Sequence, residues 1–544
     1  MLRTLWCALA MAAVAAGSPA PGPAAGARLG FGEVSFPNSG SPAAQAPFLR
    51  GLAQLHDFEY FLAAKSFREA EAADGGFVMA YWGEAMTHSH PVWMEEDLEA
   101  GRGALAKLGP TREARLAKAP SEREKAYLQA VEVLFGDGAR EARDAAYAGA
   151  MAELSRRFPD DPDAAAFYAL ALLGTCHAGR DIPVYMRAAA ILEDVYRDHP
   201  NHPGVVHYLI HCYDDPVHSP LGLRLARVYG KIAPDAPHAL HMTSHIFLAQ
   251  GMWDETVAAN EAAIGVFRRT PGDAGHHHAA CGHAFTWLEY GYLEQGRAGA
   301  AKELLRACLE EARGADAYRR PDAKLGDPDD SSVAAFHYMR ARYLIDTDNW
   351  TDEVAGWNLA AGDAAAARVG AAFIQGYIAV ARGDREAARP ALERLRQARK
   401  ELDDLLRAER RANLSSARRS EILELELQAL IQKSESDGTG AVTLLRRAAA
   451  IEEQLPFAFG PPLVEKPSHE LLGEVLLDLG RPAEARGAFQ AALERAPRRT
   501  AALAGLARAA RRSGDEAAAA RAGAELRAIW HGADPAMRSA VDSR

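Results

Sequence analysis

Apolar residues recur along this chain at the three- and four-residue intervals that place side chains on one face of an α-helix. One such stripe, in a predicted helix pair over 49–74, contains Leu52, Leu55, Phe58, Phe61 and Phe67. Strand-forming residues never alternate with polar residues over a sustained run, and alanine, leucine, arginine and glutamate dominate the composition. The pattern therefore predicts an all-α protein.

Histidines repeat at one fixed spacing in the first half of the chain. A step of 34 residues leads from His177 to His211 and again from His211 to His245, and the same step relates His207 to His241. The segments HYLIH and HMTSH thus occupy equivalent places in two successive units. A 34-residue period with two helices per unit predicts a solenoid in which each unit buries its apolar face against its neighbours.

The segments AQGMWDETVAANEAAI, LDLGRPAEARGAFQAALERAP and YLEQGRAGAAKELLRACLEEA resemble the tetratricopeptide repeat family. Each has a small residue at the tight turn, an alanine soon after it and a large apolar residue on the second helix. Over most of 48–530 the chain further resembles exported bacterial members of that family, through AYWGEAMTHSHPVW, HYLIHCYDDPVH, HALHMTSHIFLAQGMWDE and FGPPLVEKPSHELLGEVLLDLGRP. The resemblance implies a tetratricopeptide-type helical-hairpin solenoid and says little about activity.

The N-terminus has a composition of its own, with Arg3 ahead of a short apolar run and then small residues and prolines. This pattern is typical of a secretory signal, cleaved after either Ala16 or Ala27, and it predicts an exported protein, periplasmic or secreted, with no transmembrane anchor after cleavage. The predicted organisation is a signal peptide over 1–27, a flexible leader over 28–45, an N-terminal solenoid with a His-rich groove over 46–312, a loop over 313–331, degenerate helical repeats over 332–454 and a C-terminal repeat pair over 455–535.

The formal charge of -11 is spread along the 544 residues and is not gathered into a tail. Such a distribution favours solubility and argues against a nucleic-acid partner. Four cysteines follow the predicted signal: Cys176, Cys212, Cys281 and Cys308. In an exported protein they can pair, and the similar repeat positions of Cys176 and Cys212 suggest one pairing; the alternative is that they are small buried core residues.

The resemblance also implies which residues face a ligand. In this family the first helix of each repeat lines a concave groove, and alignment on Gly251 and Gly296 assigns most of the clustered histidines to groove-facing positions. By the same resemblance, the predicted ligand-groove residues outside the histidine pairs are His88, Glu84, His283 and Tyr290.

Histidines four residues apart lie on one helix face, so His207 with His211, and His241 with His245, can each chelate an ion. Two stacked helices bring both pairs together, and His238 completes the predicted metal set. Imidazole ligands without thiolate favour Cu²⁺ or Zn²⁺, with Ni²⁺ also open, over Mg²⁺ or Ca²⁺. The alternative is that these imidazoles serve as polar packing or as ligand contacts in the groove.

Other histidines give weaker signals. The run from His276 to His278 precedes a helix in a Gly-containing loop, where it is either a solvated loop or an adventitious chelator. His88 and His90 are two residues apart, so at most one of them faces the groove.

No hydrolytic motif selects a reaction: HYLIH lacks the glutamate of the His-Glu-x-x-His zinc proteases, and there is no Gly-x-Ser-x-Gly turn or P-loop. The sequence therefore predicts an exported scaffold that binds a protein or peptide in its concave groove, with a candidate His-rich site for Cu or Zn and no other cofactor. The alternative is a Cu- or Zn-dependent enzyme built on the same solenoid.

Overall fold

The computed structural model describes residues 27–269, 280–314, 331–362, 364–408 and 415–538. Within these ranges the chain forms twenty-four α-helices, and the predicted all-α solenoid is confirmed. None of the described helices combines the length and the apolar character needed to cross a membrane. The predicted signal peptide and most of the predicted loop over 313–331 lie outside the described residues, as do His276, His277 and His278.

The N-terminal helices are α1 (Pro42–His56), α2 (Tyr60–Ala73), α3 (Val78–Met86), α4 (Leu98–Leu108), α5 (Arg112–Leu116), α6 (Glu122–Leu134), α7 (Arg140–Arg157) and α8 (Pro162–Gly174). The central helices are α9 (Ile182–Tyr196), α10 (Pro203–Tyr213), α11 (Ser219–Ile232), α12 (Pro237–Ala249), α13 (Trp253–Arg269), α14 (His283–Glu294), α15 (Ala298–Arg313) and α16 (Ser332–Thr347). The C-terminal helices are α17 (Ala365–Ala381), α18 (Arg385–Ala408), α19 (Ser415–Ser434), α20 (Gly438–Glu453), α21 (Ser468–Asp478), α22 (Pro482–Arg495), α23 (Thr500–Arg512) and α24 (Glu516–Ile529).

Local sequence sets the start of the repeats that carry the histidines. Helices α8, α10 and α12 each begin at a proline, whose fixed φ suits the first helical position and whose missing N–H costs nothing there. Asp161 and His202 cap α8 and α10, each accepting a hydrogen bond from a backbone N–H three residues on. The first helices α8, α10 and α12 pack on one another more closely than the second helices do, which curves the array towards them.

Two short hairpins interrupt the helices. Strand β1 (Ala27–Leu29) pairs with β2 (Gly32–Val34), and β3 (Ser89–His90) pairs with β4 (Glu95–Glu96). The prediction of a flexible leader over 28–45 is therefore wrong in its described part. Phe36 is buried with its ring 5.4 Å from Phe48 and 6.0 Å from Trp82, and α1 already begins at Pro42. Apolar side chains in this Gly- and Pro-rich stretch fix it to the first repeats.

The cysteine pairing differs from the one suggested by the repeat positions. Cys281 and Cys308 form a disulfide, which joins the start of α14 to its hairpin partner α15. Cys176 and Cys212 are buried and unpaired, so the alternative of small core residues holds for these two. Cys176 lies just after the end of α8 and Cys212 lies on α10, so their similar repeat positions do not bring the two sulfurs into contact.

The C-terminal repeats return to the middle of the array. The Trp253 indole N–H donates to the Arg498 carbonyl over 3.2 Å, and the Trp530 indole N–H donates to the Glu294 carbonyl over 2.8 Å. Gly251, at the α12–α13 turn, has φ of +63°, and a Cβ there would lie 2.5 Å from the Pro497 carbonyl oxygen. Glycine is required at this turn both for the backbone conformation and for the close approach.

A non-helical segment over 455–467, named here the crossing segment, runs between α20 and α21 across the inner face of the array. The Arg342 guanidinium donates to the Pro462 and Glu465 carbonyls at 2.7 and 2.9 Å. The Phe459 ring lies parallel to that of His245 with centroids 6.0 Å apart. The chain itself therefore covers part of the concave surface.

Arg499, which is fully buried, ties these elements together. Its guanidinium contacts Glu294 of α14 at 2.8 Å and Glu470 of α21 at 2.7 Å, and it also pairs with Asp346 of α16. Three acidic residues share one cation, so loss of that cation leaves buried carboxylates uncompensated.

We expect Arg499→Ala to lower the free energy of unfolding by about 3–5 kcal/mol, because buried carboxylates are costly without a partner. Urea denaturation followed by far-UV circular dichroism measures the change. Arg511→Ala, at an exposed position of the same helix α23, is the matched control and should change stability by less than about 0.5 kcal/mol. Equal stability of the two variants would contradict the assigned role of Arg499.

Candidate metal centre

Helices α10 and α12 present their paired histidines to one shared interior space. The ring centroids of His207 and His211 are 4.9 Å apart, and those of His241 and His245 are 5.1 Å apart. The two pairs meet through His211 and His245, whose centroids are 5.6 Å apart. All four imidazoles are at most 3% exposed. They form one continuous buried cluster, in which the ligand atoms make two histidine triads and a third group, His211 with Asp214 and His245, that spans both, rather than one set of four.

The first triad consists of His207, His211 and His238, whose ligand atoms lie within 4.8 Å of one another. The Nε2 atoms of all three are buried and have no hydrogen-bond partner. The His207 Nδ1–H donates to the His56 carbonyl over 2.6 Å, which leaves the lone pair on Nε2. The His211 Nδ1 lies 3.4 Å from a carboxylate oxygen of Asp214. Both orientations match histidines that bind metal through Nε2 while the other nitrogen is held by an outer group.

The second triad consists of His241, His245 and His283, again with ligand atoms within 4.8 Å of one another. The His241 Nδ1–H donates to the Asn260 side-chain oxygen over 2.7 Å, and the His245 Nδ1–H donates to the Asp214 carboxylate over 2.9 Å. Consequently the two Nε2 atoms, 3.2 Å apart, both carry lone pairs and face each other. His283 was predicted as a groove residue and as an alternative ligand outside the main metal set, and the structure places it among these ligand atoms.

Asp214 connects the triads. Its Oδ2 atom is the partner of both His211 and His245, and Arg180 forms an ion pair with the other oxygen. Burial alone would raise the pKa of Asp214, but the Arg180 charge and the imidazole hydrogen bonds hold that pKa well below its usual range. The residue is thus a carboxylate that fixes the tautomers of two candidate ligands.

Burial favours the neutral form of His207, His238, His241 and His245. It lowers the pKa of His207, His238 and His241 well below the ordinary value, and neighbouring imidazoles lower it further. The pKa of His245 falls to about 4, because burial outweighs the opposing effect of Asp214. Neutral imidazole is the form that binds metal ions.

Aromatic rings surround the cluster. Phe58 lies 4.3 Å from His207 and Trp287 lies 4.4 Å from His245, measured between ring centroids. Two partly exposed rings flank it: Trp93, 36% exposed, lies edge-on to His238, and Phe459 of the crossing segment, 43% exposed, lies over His245. The candidate ligands therefore lie in a largely apolar shell that restricts water.

A further histidine group, His56 with Asp163 and His202, lies behind the first triad. His56 Nε2 is 2.9 Å and His202 Nε2 is 3.3 Å from the same Asp163 oxygen, and His56 Nδ1 is 3.0 Å from the Tyr208 hydroxyl. These nitrogens already have hydrogen-bond partners within the protein. The group therefore holds His56 in place, and the His56 carbonyl orients His207. Sequence analysis missed His56 and Asn260 because neither follows the 34-residue spacing.

The groove predictions for Glu84 and His88 are wrong. Glu84 is buried on the side of α3 that faces α2 and α4, where it pairs with Lys107 and lies 3.3 Å from Arg68. His88 is partly buried, with Glu84 among its close charged neighbours. His90 instead faces the histidine cluster, stacked on Tyr60 with centroids 3.9 Å apart. The register was shifted because α3 ends at Met86, before either histidine.

Tyr290 is also not an open groove residue. It is 1% exposed, packs edge-on against Trp253, and lines a cavity of about 60 Å³ behind the crossing segment. Its hydroxyl lies 3.4 Å from the Arg499 guanidinium. The returning C-terminal repeats enclose a position that a simple open solenoid would expose.

No protein-family model and no curated protein matches this chain. Solved structures with a similar helical arrangement include the human IFIT1 dimer with m7Gppp-AAAA, at 15% identity, with 88% of this chain and 95% of that chain covered and a TM-score of 0.36. Yeast Tom70 is similar at 10% identity, with 92% of each chain covered and a TM-score of 0.30. The Cut9–Hcn1 hetero-tetramer of the APC/C is similar at 11% identity, with 92% and 96% covered and a TM-score of 0.26. Likenesses at this level carry no conclusion about function.

The neighbouring carboxyl groups of Glu71 and Glu84 make the stability of the protein depend on pH. Burial, together with the nearby Glu84, raises the pKa of Glu71 from 4.5 to about 7. The folded state therefore holds this proton more tightly than the unfolded state, and the group loses stability as pH rises from about 4.5 to about 7. We expect Glu71→Gln to be more stable than the unchanged protein at pH 8 by about 1 kcal/mol, and similar to it at pH 5.

Urea denaturation at both pH values measures this difference. Glu69→Gln, at an exposed position of the same helix α2, is the control and should show no such change between pH 5 and pH 8. The stability difference between Glu71→Gln and the unchanged protein should grow in favour of the variant from pH 5 to pH 8. A change in the opposite direction would contradict the assigned effect of Glu71.

Proposed function

We propose that this helical-repeat protein is exported and binds a transition-metal ion, copper or zinc, through His207, His211 and His238. The observation that supports the proposal is the convergence of three buried, unpartnered Nε2 atoms. Burial of a polar nitrogen without a partner costs free energy, and one ion can satisfy three such nitrogens together. Stacking of successive repeats supplies ligands from two helices, α10 and α12.

The chemistry of the triad selects the metal class. Three neutral imidazoles without a carboxylate or thiolate suit Cu or Zn and do not suit Mg²⁺ or Ca²⁺, which prefer oxygen ligands. Among divalent ions, copper forms the most stable complexes with such donors. Three protein ligands also leave a coordination position open for water or another small ligand.

Export to the periplasm or beyond is part of the proposal. It is supported by the apolar N-terminal run followed by small residues, and by the Cys281–Cys308 disulfide, because disulfides persist in oxidising compartments. Copper and zinc are both available to an exported protein.

Metal content tests the proposal. The protein is purified without an affinity tag, as a background variant in which His276, His277 and His278 are all changed to alanine, so that adventitious binding by this run is removed. We expect stoichiometric metal by elemental analysis after reconstitution with Cu²⁺ or Zn²⁺. His207→Ala with His211→Ala should lose the ion of this triad and its thermal stabilisation.

His531→Ala, on an exposed residue far along the chain near the C-terminus, is the matched control and should keep the full metal content. Less than about 0.1 ion per chain in the background variant, with no thermal shift on adding either metal, would rule out metal binding.

A second candidate function is the binding of an extended peptide on the inner face of the array. One observation favours it: the crossing segment already lies there as a non-helical chain, with the Pro462 and Glu465 carbonyls held by Arg342. A ligand of the same kind would have to compete with this segment.

We expect a labelled peptide with the sequence of residues 455–467 to bind the full chain more tightly when Phe459→Ala weakens the contact of the crossing segment with His245. Fluorescence anisotropy measures binding. Phe267→Ala, which changes a phenylalanine of α13 outside the crossing segment, is the control. No saturable binding to any of these proteins would exclude a peptide site on this face.

A further inference from the structure

We propose that His241, His245 and His283 hold a second ion, and that the two triads together form a two-copper centre that binds dioxygen between its ions. The proposal rests on the metal binding proposed above and adds to it a second site, a choice of metal and a small-molecule ligand.

The two triads are the same construction in successive repeats. His241 follows His207 by 34 residues and His245 follows His211 by 34 residues. His283 follows His238 by 45 residues, which is one repeat plus the roughly eleven-residue insertion between α13 and α14. In both triads the third histidine stands at the N-terminal end of the next first helix, α12 or α14. Because both triads have three histidines at equivalent repeat positions, we expect the second to bind an ion if the first does.

The second triad shows the need for a cation most directly. Its His245 Nδ1 faces a carboxylate, which can only accept, so the proton lies on Nδ1. The His241 Nδ1 faces the Asn260 oxygen, and the amide cannot be turned over because its nitrogen donates to the Thr256 carbonyl over 2.8 Å. Two nitrogen lone pairs thus face each other at 3.2 Å. A bound metal ion converts this repulsion into coordination.

The triads are close enough to act as a pair. Between them, His211 and His245 are 5.6 Å apart and His238 and His241 are 6.0 Å apart, measured between ring centroids. Within a triad the corresponding distances reach 6.3 Å, between His245 and His283. The shortest distances between the triads therefore fall within the range of those inside them, and Asp214 holds one ligand of each. Ions held by the two triads would lie close to each other.

The surroundings favour copper and dioxygen over hydrolytic zinc chemistry. Neither triad contains a carboxylate ligand, and neutral imidazoles stabilise both Cu(I) and Cu(II). Phe58 and Trp287 pack against the cluster and restrict water, which favours a small ligand between two ions held there. The step is balanced without other groups: each Cu(I) gives one electron, dioxygen accepts two, and it bridges the ions as peroxide without taking up a proton.

Copper stoichiometry separates the two triads. In the background variant that lacks His276, His277 and His278, we expect two copper ions per chain. His238→Ala and His283→Ala change equivalent positions in the two repeats, and each should reduce the content to one. His531→Ala should keep two. Circular dichroism of every variant confirms that it is folded.

Spectroscopy tests the pairing. Two adjacent Cu(II) ions joined by a bridge couple magnetically, so the electron paramagnetic resonance signal should be much smaller than the copper content, whereas His283→Ala should give the full signal of one ion. The Cu(I) protein, reduced without oxygen and then exposed to dioxygen, should develop a near-ultraviolet absorption band that is absent from both single-triad variants.

Each outcome supports or overturns a stated part of the proposal. Two coppers with a reduced resonance signal and an oxygen-dependent band support the proposal. No copper overturns it together with the metal-binding function. One copper that His283→Ala leaves in place overturns the second site only, and two coppers with full signal and no band overturn the pairing and the dioxygen ligand.

Discussion

An imidazole buried away from water must satisfy two ring nitrogens, and the interior around α10, α12 and α14 is arranged around that requirement. Asp214, Asn260 and the His56 carbonyl each accept a hydrogen bond from the Nδ1–H of a histidine. These three acceptors direct the remaining Nε2 lone pairs inward. Within the described residues the His207 Nε2 has no hydrogen-bond partner, and the Nε2 atoms of His241 and His245 lie 3.2 Å from each other. Arg180 stabilises Asp214, and Asp163 fixes His56, so the arrangement extends two layers outward from the ligand atoms.

The second constraint is that other parts of the chain cover the inner face of the array. An open solenoid would leave α10, α12 and α14 facing a groove, but the crossing segment and the returning C-terminal repeats enclose this region. Arg342 holds the crossing segment by its carbonyls, and Phe459 lies against His245. The histidines are consequently buried on the side that an open solenoid would expose.

The sequence was sufficient to predict the repeat architecture and the clustering of histidines, because a 34-residue period is a direct consequence of stacking. It also placed His207, His211, His241 and His245 on neighbouring helices. It could not divide them into triads, since His283 lies beyond an insertion and enters the second set only through the packing of α14. The error at His88 arose where α3 ends early, whereas Glu84 lies within α3 on the side that faces α2 and α4. Tyr290 was misplaced because enclosure by distant repeats leaves no local pattern.

The contacts of Trp253 with Arg498 and of Arg499 with Glu294 join residues 245 and 205 positions apart in the chain. Repeat arrays ordinarily have contacts only between neighbours, so they fold by local steps and unfold from their ends. Here the ends are tied to the middle, and the chain must close loops of some two hundred residues before these contacts form. That closure slows folding and makes the array melt as one cooperative unit. We therefore expect the repeats of this protein not to fold or unfold independently of one another.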